Sequence, residues 1–265
     1  MSLMKHPTSG EWRHVCLGRK PKRVSVKTPA LGDFLDRAIL WPSVKPVGWE
    51  YAPPAGGLQM LANDRLGDCA EAGAYHFIQA STANTDNPLY GTEQQCIDLY
   101  SAVTGYDPND PSTDQGTVLL DLLNYWKTIG IPCLDKNGNS VMHKILGYAS
   151  LDLTSVAQMR WATVTFGGLY LGIKCPQSAL QNTNNWTYDP TSPIEGGHCI
   201  NGEGEGAAGG HIQSWALNIP FTWEFMLHLL DEGYEIVSEA WVNSVSGKSP
   251  SGLDLDGLLS ALAKI

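Results

Sequence analysis

The sequence predicts an α+β fold, with a helical first half, a mostly β second half and a cleft between them. Three observations carry this. Apolar residues recur at helical spacing from about residue 69 to a segment near Thr154. After about residue 167 the period shortens to two. The 265 residues, 43% hydrophobic and 17% charged, suffice for one large domain or two lobes sharing a cleft.

Residues 1–57 read as irregular, rich in Pro, Lys and Gly, with WPSVKPVGWEYAPPAGG as an extended approach. The division expected is a basic arm over 1–44 and a domain over 45–265. Within the domain a helical lobe spans about 60–165 and a sheet-like or barrel-like lobe about 166–250. The first helix starts near Cys69: Ala70, Ala74, Phe77 and Ile78 share one face, and Asp68 is an N-cap residue type. Thr92 with Gln95 three residues on forms a capping box for a second helix, continued by Ile97, Leu99, Tyr100 and Val103. A third helix is expected over about 117–128, where Val118, Leu119, Leu122, Leu123 and Trp126 share a face, and a fourth from near Thr154. Leu169, Leu171 and Ile173 alternate as in a strand, and segments near 198–203, 208–216 and 234–243 read the same way.

No run approaches 18 apolar residues, which excludes a membrane-spanning helix. The N-terminus lacks an apolar signal-peptide core, so a cytoplasmic protein, or one exported by another route, is expected. Residues 1–27 hold seven basic side chains against Glu11 alone, a local +6, leaving −16 for the remainder of a chain whose net charge is −10. An acidic body argues against broad nucleic-acid binding. The arm reads as a solvated tail, or as a segment wrapping its own acidic domain; contact with nucleic acid or an acidic partner is left open for it. The six cysteines form no CxxC pair, and no cofactor is expected. A metal site from Cys69, His198, Cys199 and His211 fails on spacing, because neighbouring strand residues point to opposite faces.

A cysteine at a helix N-terminus meets free N–H groups and the positive end of the helix dipole, which favour the thiolate. Cys69 is so placed, and with a base beside it becomes a nucleophile. His76 lies two turns on, about 10.5 Å along the axis, too far for a hydrogen bond. His6 and His14 lie in the arm, His143 in a polar loop, and His228 follows its helix periodicity. His198 and His211 remain, both in the β half. Gln213-Ser214-Trp215 follows His198 by 15 to 17 residues, with an amide to orient an imidazole and an indole to shield that bond.

In this order the motifs resemble the papain family of cysteine peptidases, over about residues 45–245. Asn63 lies six residues before Cys69, where the family has its oxyanion-binding Gln. Gly67 supplies the family's Gly, and Thr92-Glu93-Gln94 its next-helix segment. Asp114-Gln115-Gly116 stands for the Gly-Gly element, and Trp126 to Ile131 for the helix ending in Gly-Ile. His198 then Gln213-Ser214-Trp215-Ala216 stand for the His and the Asn-Ser-Trp-Gly element. Departures are Ala70 for Trp, Asn63 for Gln, Gln213 for Asn, Ala216 for Gly, and Gly197 where Asp is common. The resemblance implies a thiol hydrolase acting on a peptide or protein substrate. Cys69 would be nucleophile, His198 base, Asn63 oxyanion donor and Gln213 the group orienting His198, with Ser214 the alternative for that role, and Gln115, Gly116, Gly197 and Trp215 about the substrate. The alternatives are a catalytically decayed binding or structural domain, and acyl transfer or cell-wall amidase chemistry on the same dyad.

Overall fold

The computed structural model describes residues 1–25, 27–35, 58–83, 87–203, 206, 208–238 and 255–262. The far end of the segment expected as a strand over 234–243 lies outside them. The chain opens with a hairpin, β1 (Ser2–Lys5) and β2 (Trp12–Val15), in a stretch expected to be irregular. Its strands are too short to carry a periodic signal, yet Met4 and Val15 are buried. The helices are α1 (Cys69–Thr82), α2 (Glu93–Thr104), α3 (Leu119–Thr128), α4 (Val156–Phe166), the short α5 (Gln177–Gln181) and α6 (Trp223–Leu229), and α7 (Leu255–Leu262). The Thr92 capping box forms as expected: its hydroxyl accepts from the Gln95 N–H and the Gln95 side chain accepts from the Thr92 N–H. Asp68 occupies the N-cap of α1 but makes no side-chain cap bond.

The remaining strands are β3 (Ile131–Leu134), β4 (Ser140–His143), β5 (Ile145–Ser150), β6 (Leu169–Pro176), β7 (Ile194–Glu203), β8 (Gly209–Ser214), β9 (Leu217–Thr222) and β10 (Leu230–Ser238). Six form one antiparallel sheet in the order β5-β10-β6-β7-β8-β9, while β3 and β4 make a separate hairpin. Thus β5, inside the half expected to be helical, is an edge of the main sheet. His143, expected in a loop, is instead a buried strand residue whose Nδ1 accepts from the Trp126 indole at 2.9 Å. The strand expected over 208–216 is broken after Ser214. Trp215 and Ala216 take left-handed φ of 51° and 59° and reverse the chain into β9.

Two apolar cores fill the molecule. One joins α1, α2 and α3 to a sheet face through Tyr148, Tyr170, Cys199, Tyr234 and Ile236. The other packs Leu171, Ile173, Trp186, Ile212, Trp215 and Phe225 with α4 and α6. The N-terminus of α1 meets the sheet at β7, which brings the Cys69 thiol to the Cys199 backbone. Among the described residues, no helix is long and apolar enough to cross a membrane. All six cysteines are buried and free.

Candidate active site

Cys69 begins α1, and its side chain is closed in, 1% exposed. Its thiol faces the backbone N–H groups of Cys199 and Gly18, both of which favour the thiolate. Burial outweighs them and pushes the thiol up to about 12, with the Glu71 and Asp68 carboxyls adding to the rise. The lowered thiol expected from the helix terminus alone is therefore corrected. The dipole is present, but burial outweighs it.

The Cys199 amide that faces the thiol directly follows His198 on β7. The imidazole is 1% exposed; its Nε2 is hydrogen-bonded to Ser214 Oγ at 2.6 Å, and its Nδ1 has no hydrogen-bond partner. Trp215 stacks on the ring at 4.2 Å between centroids and 15° between planes. Burial, with the Arg19 and His76 cations secondary, holds the imidazole neutral down to about 3. Cys199 turns to the opposite side and packs towards Gly73 of α1, as strand alternation requires.

The residues expected to serve this pair divide. Trp215 covers the imidazole, and Gly197 precedes it on β7. The expected contact of Gln213 with His198 is corrected: its Nε2 donates to Glu203 at 2.8 Å, and the neighbouring Ser214 reaches the ring. Ser214 and Gln213 alternate across β8, so only one can face His198, and the sharp turn at Trp215 selects Ser214. Asn63 is buried, and its Nδ2 donates to Leu66 O at 3.1 Å, Asp68 Oδ1 at 3.2 Å and Cys16 O at 3.4 Å. Gln115 is turned away to Ser112 O at 2.7 Å. Gly116, at φ +76°, donates its N–H to the Tyr100 hydroxyl.

The chain's own residues 16–20 run between Asn63, Gly67 and Thr117 on one side and Gly197 on the other. Cys16 N–H donates to Asn63 O at 2.9 Å, Thr117 N–H to Gly18 O at 2.8 Å, Arg19 N–H to Gly197 O at 3.0 Å and Lys20 N–H to Thr117 O at 2.9 Å. Gly18 is pressed between two other glycines. A Cβ on it would lie 1.8 Å from Gly67 O, and a Cβ on Gly116 would lie 1.9 Å from Gly18 O. A Cβ on Gly197 would meet Arg19 O at 2.3 Å. Glycine at 67, 116 and 197 is what lets the arm lie this close. Beyond the crossing, Arg19 pairs with Asp231 and Glu232, Lys22 donates to Asp231 O at 3.0 Å, and Arg23 pairs with Asp121. The basic arm thus wraps its own acidic body. The sequence showed the complementary charges but no signal for this path.

No family model and no curated protein matches this chain in sequence. Solved structures do. Xylellain, a cysteine protease from Xylella fastidiosa, superposes with a TM-score of 0.64 over 85% of this chain and 97% of its own, at 12% identity. The ragweed pollen cysteine protease Amb a 11, in its proform, gives a TM-score of 0.53 over 80% and 70%, at 14% identity. The Carica candamarcensis cysteine protease CMS1MS2, in complex with E-64, gives 0.50 over 72% and 97%, also at 14%. The fold is therefore that of the papain-like cysteine proteases.

Proposed function

We propose that this chain is a thiol hydrolase of peptide or related amide bonds, held closed by its own residues 16–20. The observation that supports it best is the pairing at the end of α1. The Cys69 thiol lies against the amide that follows His198, and His198 has one ring nitrogen held by Ser214 and the other free of any hydrogen bond. That division is what a general base needs: one nitrogen fixed, one available. Once the arm withdraws, water and substrate enter, the desolvation that holds the thiol neutral is relieved, and the helix terminus favours the thiolate. Cys69 passes its proton to His198, and the thiolate sulfur adds to the carbonyl carbon. The tetrahedral intermediate collapses to an acyl-enzyme as His198 gives its proton to the leaving amine. Water, deprotonated by His198, then releases the acid and the thiol.

Asn63 Nδ2 and the Cys69 backbone N–H are the oxyanion donors in this reading; Nδ2 already donates to a backbone carbonyl of the arm. The similar ragweed protease was solved in its proform, which favours reading residues 16–20 as an inhibitory segment. The test uses Gly18→Ala, whose added methyl cannot be accommodated against Gly67, and a quenched-fluorescence peptide library. Turnover in Gly18→Ala that disappears in Gly18→Ala with Cys69→Ala supports the hydrolase. Equal inertness of the two, with Cys69 shown accessible, overturns it in favour of a binding domain.

A further inference from the structure

Arg19, within the segment that crosses the site, enters a built recess. Its Nη1 donates to Glu232 Oε1 at 2.7 Å and to Lys20 O at 3.2 Å; its Nη2 donates to Asp231 Oδ2 at 2.9 Å and to Ile173 O at 3.4 Å. The Arg19 and Glu232 side chains are each 4% exposed and Asp231 16%. Tyr234 donates its hydroxyl to the second Glu232 oxygen at 2.9 Å, fixing the carboxylate. Gly172 forms the floor, where a Cβ would meet Arg19 Cδ and Glu232 Cγ, both at 2.7 Å. The adjoining backbone is tied to Gly197 on one wall and Thr117 on the other, and the preceding residue lies on the Cys69 thiol.

We propose that this recess is the specificity subsite of the enzyme, and that it selects substrates carrying arginine at the residue held between Gly197 and Thr117. The inference rests on the hydrolase reading. That chemistry requires the arm to leave, and departure strips Glu232 of its counter-ion and leaves Asp231 with Lys174 alone, at 3.9 Å. A buried carboxylate left without its cation is costly. The group that restores it is a planar cation with two donor edges, a guanidinium; a lysine ammonium is a point charge and cannot serve both carboxylates in the same fork. Arg19 is thus a stand-in for the substrate arginine as well as a fastener of the arm.

The experiment uses the full chain with Arg19→Ala, titrated calorimetrically with acetyl-Gly-Arg-Gly-amide and with its citrulline analogue, which keeps the shape and loses the charge. We expect the arginine peptide to bind at least tenfold more tightly than the citrulline peptide. Adding Glu232→Gln should erase that preference, and wild type, whose recess is filled, should bind the arginine peptide at least tenfold more weakly. If Arg19→Ala does not fold cooperatively, Arg19→Gln, which retains most of the stem, replaces it. Equal affinity for the two peptides, or a preference that survives Glu232→Gln, overturns the proposal. Because this readout needs no turnover, the two readings fail separately. Selective binding without hydrolysis sinks the enzyme and leaves the recess, whereas hydrolysis indifferent to arginine sinks the recess and leaves the enzyme.

Discussion

At the scale of single residues, Ser214 takes the contact with His198 that the resemblance gives to its neighbour Gln213. Ser214 holds the His198 ring, and Gln213 holds the Glu203 carboxyl, which is fully buried and pushed up by desolvation. The two substitutions should therefore separate. In the proposed hydrolase, with the arm released, Ser214→Ala should lower turnover by about ten- to a hundredfold, because the imidazole loses the bond that orients it. Its cost in stability should stay near 1 kcal/mol. Gln213→Ala should do the reverse, removing a donor from a buried carboxyl at a cost of about 1–3 kcal/mol while leaving the rate per folded molecule unchanged. Urea melts beside active-site-titrated kinetics decide it. A Gln213→Ala enzyme that is stable and slow would return the orienting role to Gln213.

At the scale of elements, the crossing of the arm over the N-terminus of α1 sets the reactivity of Cys69. Wild type should resist iodoacetamide at Cys69 at pH 6 to 8, since the thiol is buried and pushed up to about 12. Gly18→Ala should label there at least tenfold faster, because a methyl 1.8 Å from Gly67 O drives the arm outward. Mass spectrometry of the six cysteines reads this directly, and labelling unchanged by Gly18→Ala would show that the arm does not shield the thiol. A second element, the turn from β8 to β9, is strained. Trp215 must stay to cover His198, but Ala216, at φ 59°, sits where glycine is at ease. Ala216→Gly should stabilise the protein by about 0.5–1 kcal/mol, the relief of a left-handed residue less the added freedom of the unfolded chain. An unchanged or lowered urea midpoint would refute that strain.

These elements also mark where sequence stops being legible. The Thr92–Gln95 box and the apolar face of α1 are local signals, and both elements form where they predict. The turn at Trp215-Ala216 carries no Gly or Asn to announce it, so a strand was expected to run through it. The β5 strand belongs to the sheet only through pairing with β10, far along the chain. Cys69 and His198 stand out as candidates from residue chemistry and order. The partner of His198 depended on which face of β8 a turn would present, and the recess for Arg19 on four segments converging.

For the whole molecule, one electrostatic feature is a set of carboxyls whose titration burial pushes upward. Glu71, two residues into α1, is raised to about 8, desolvation outweighing the Thr117 hydroxyl that donates to it at 2.8 Å. Asp68, Glu203 and Glu235 are raised in the same direction, also by burial first. An acid whose folded value lies above its unfolded one binds more protons when folded, so its contribution is complete below the unfolded value and is lost as pH climbs to the folded one. For Glu71 that window runs from 4.5 to about 8, a span corresponding to about 5 kcal/mol. The histidines act on the other side. His76 and His143 are held down to about 4 and His198 to about 3, so each costs stability as pH falls below 6.5. The two limbs oppose each other between pH 4.5 and 6.5, and above 6.5 the loss from Glu71 continues unopposed up to about 8. Glu71→Gln should flatten that limb, melting close to wild type at pH 5 and above it at pH 8, by about 2–4 kcal/mol in urea titrations. Parallel curves for the two proteins between pH 5 and pH 8 would mean that Glu71 is ionised in the fold, and that Thr117, which also holds the arm through Gly18 and Lys20, is bonded to a carboxylate rather than an acid.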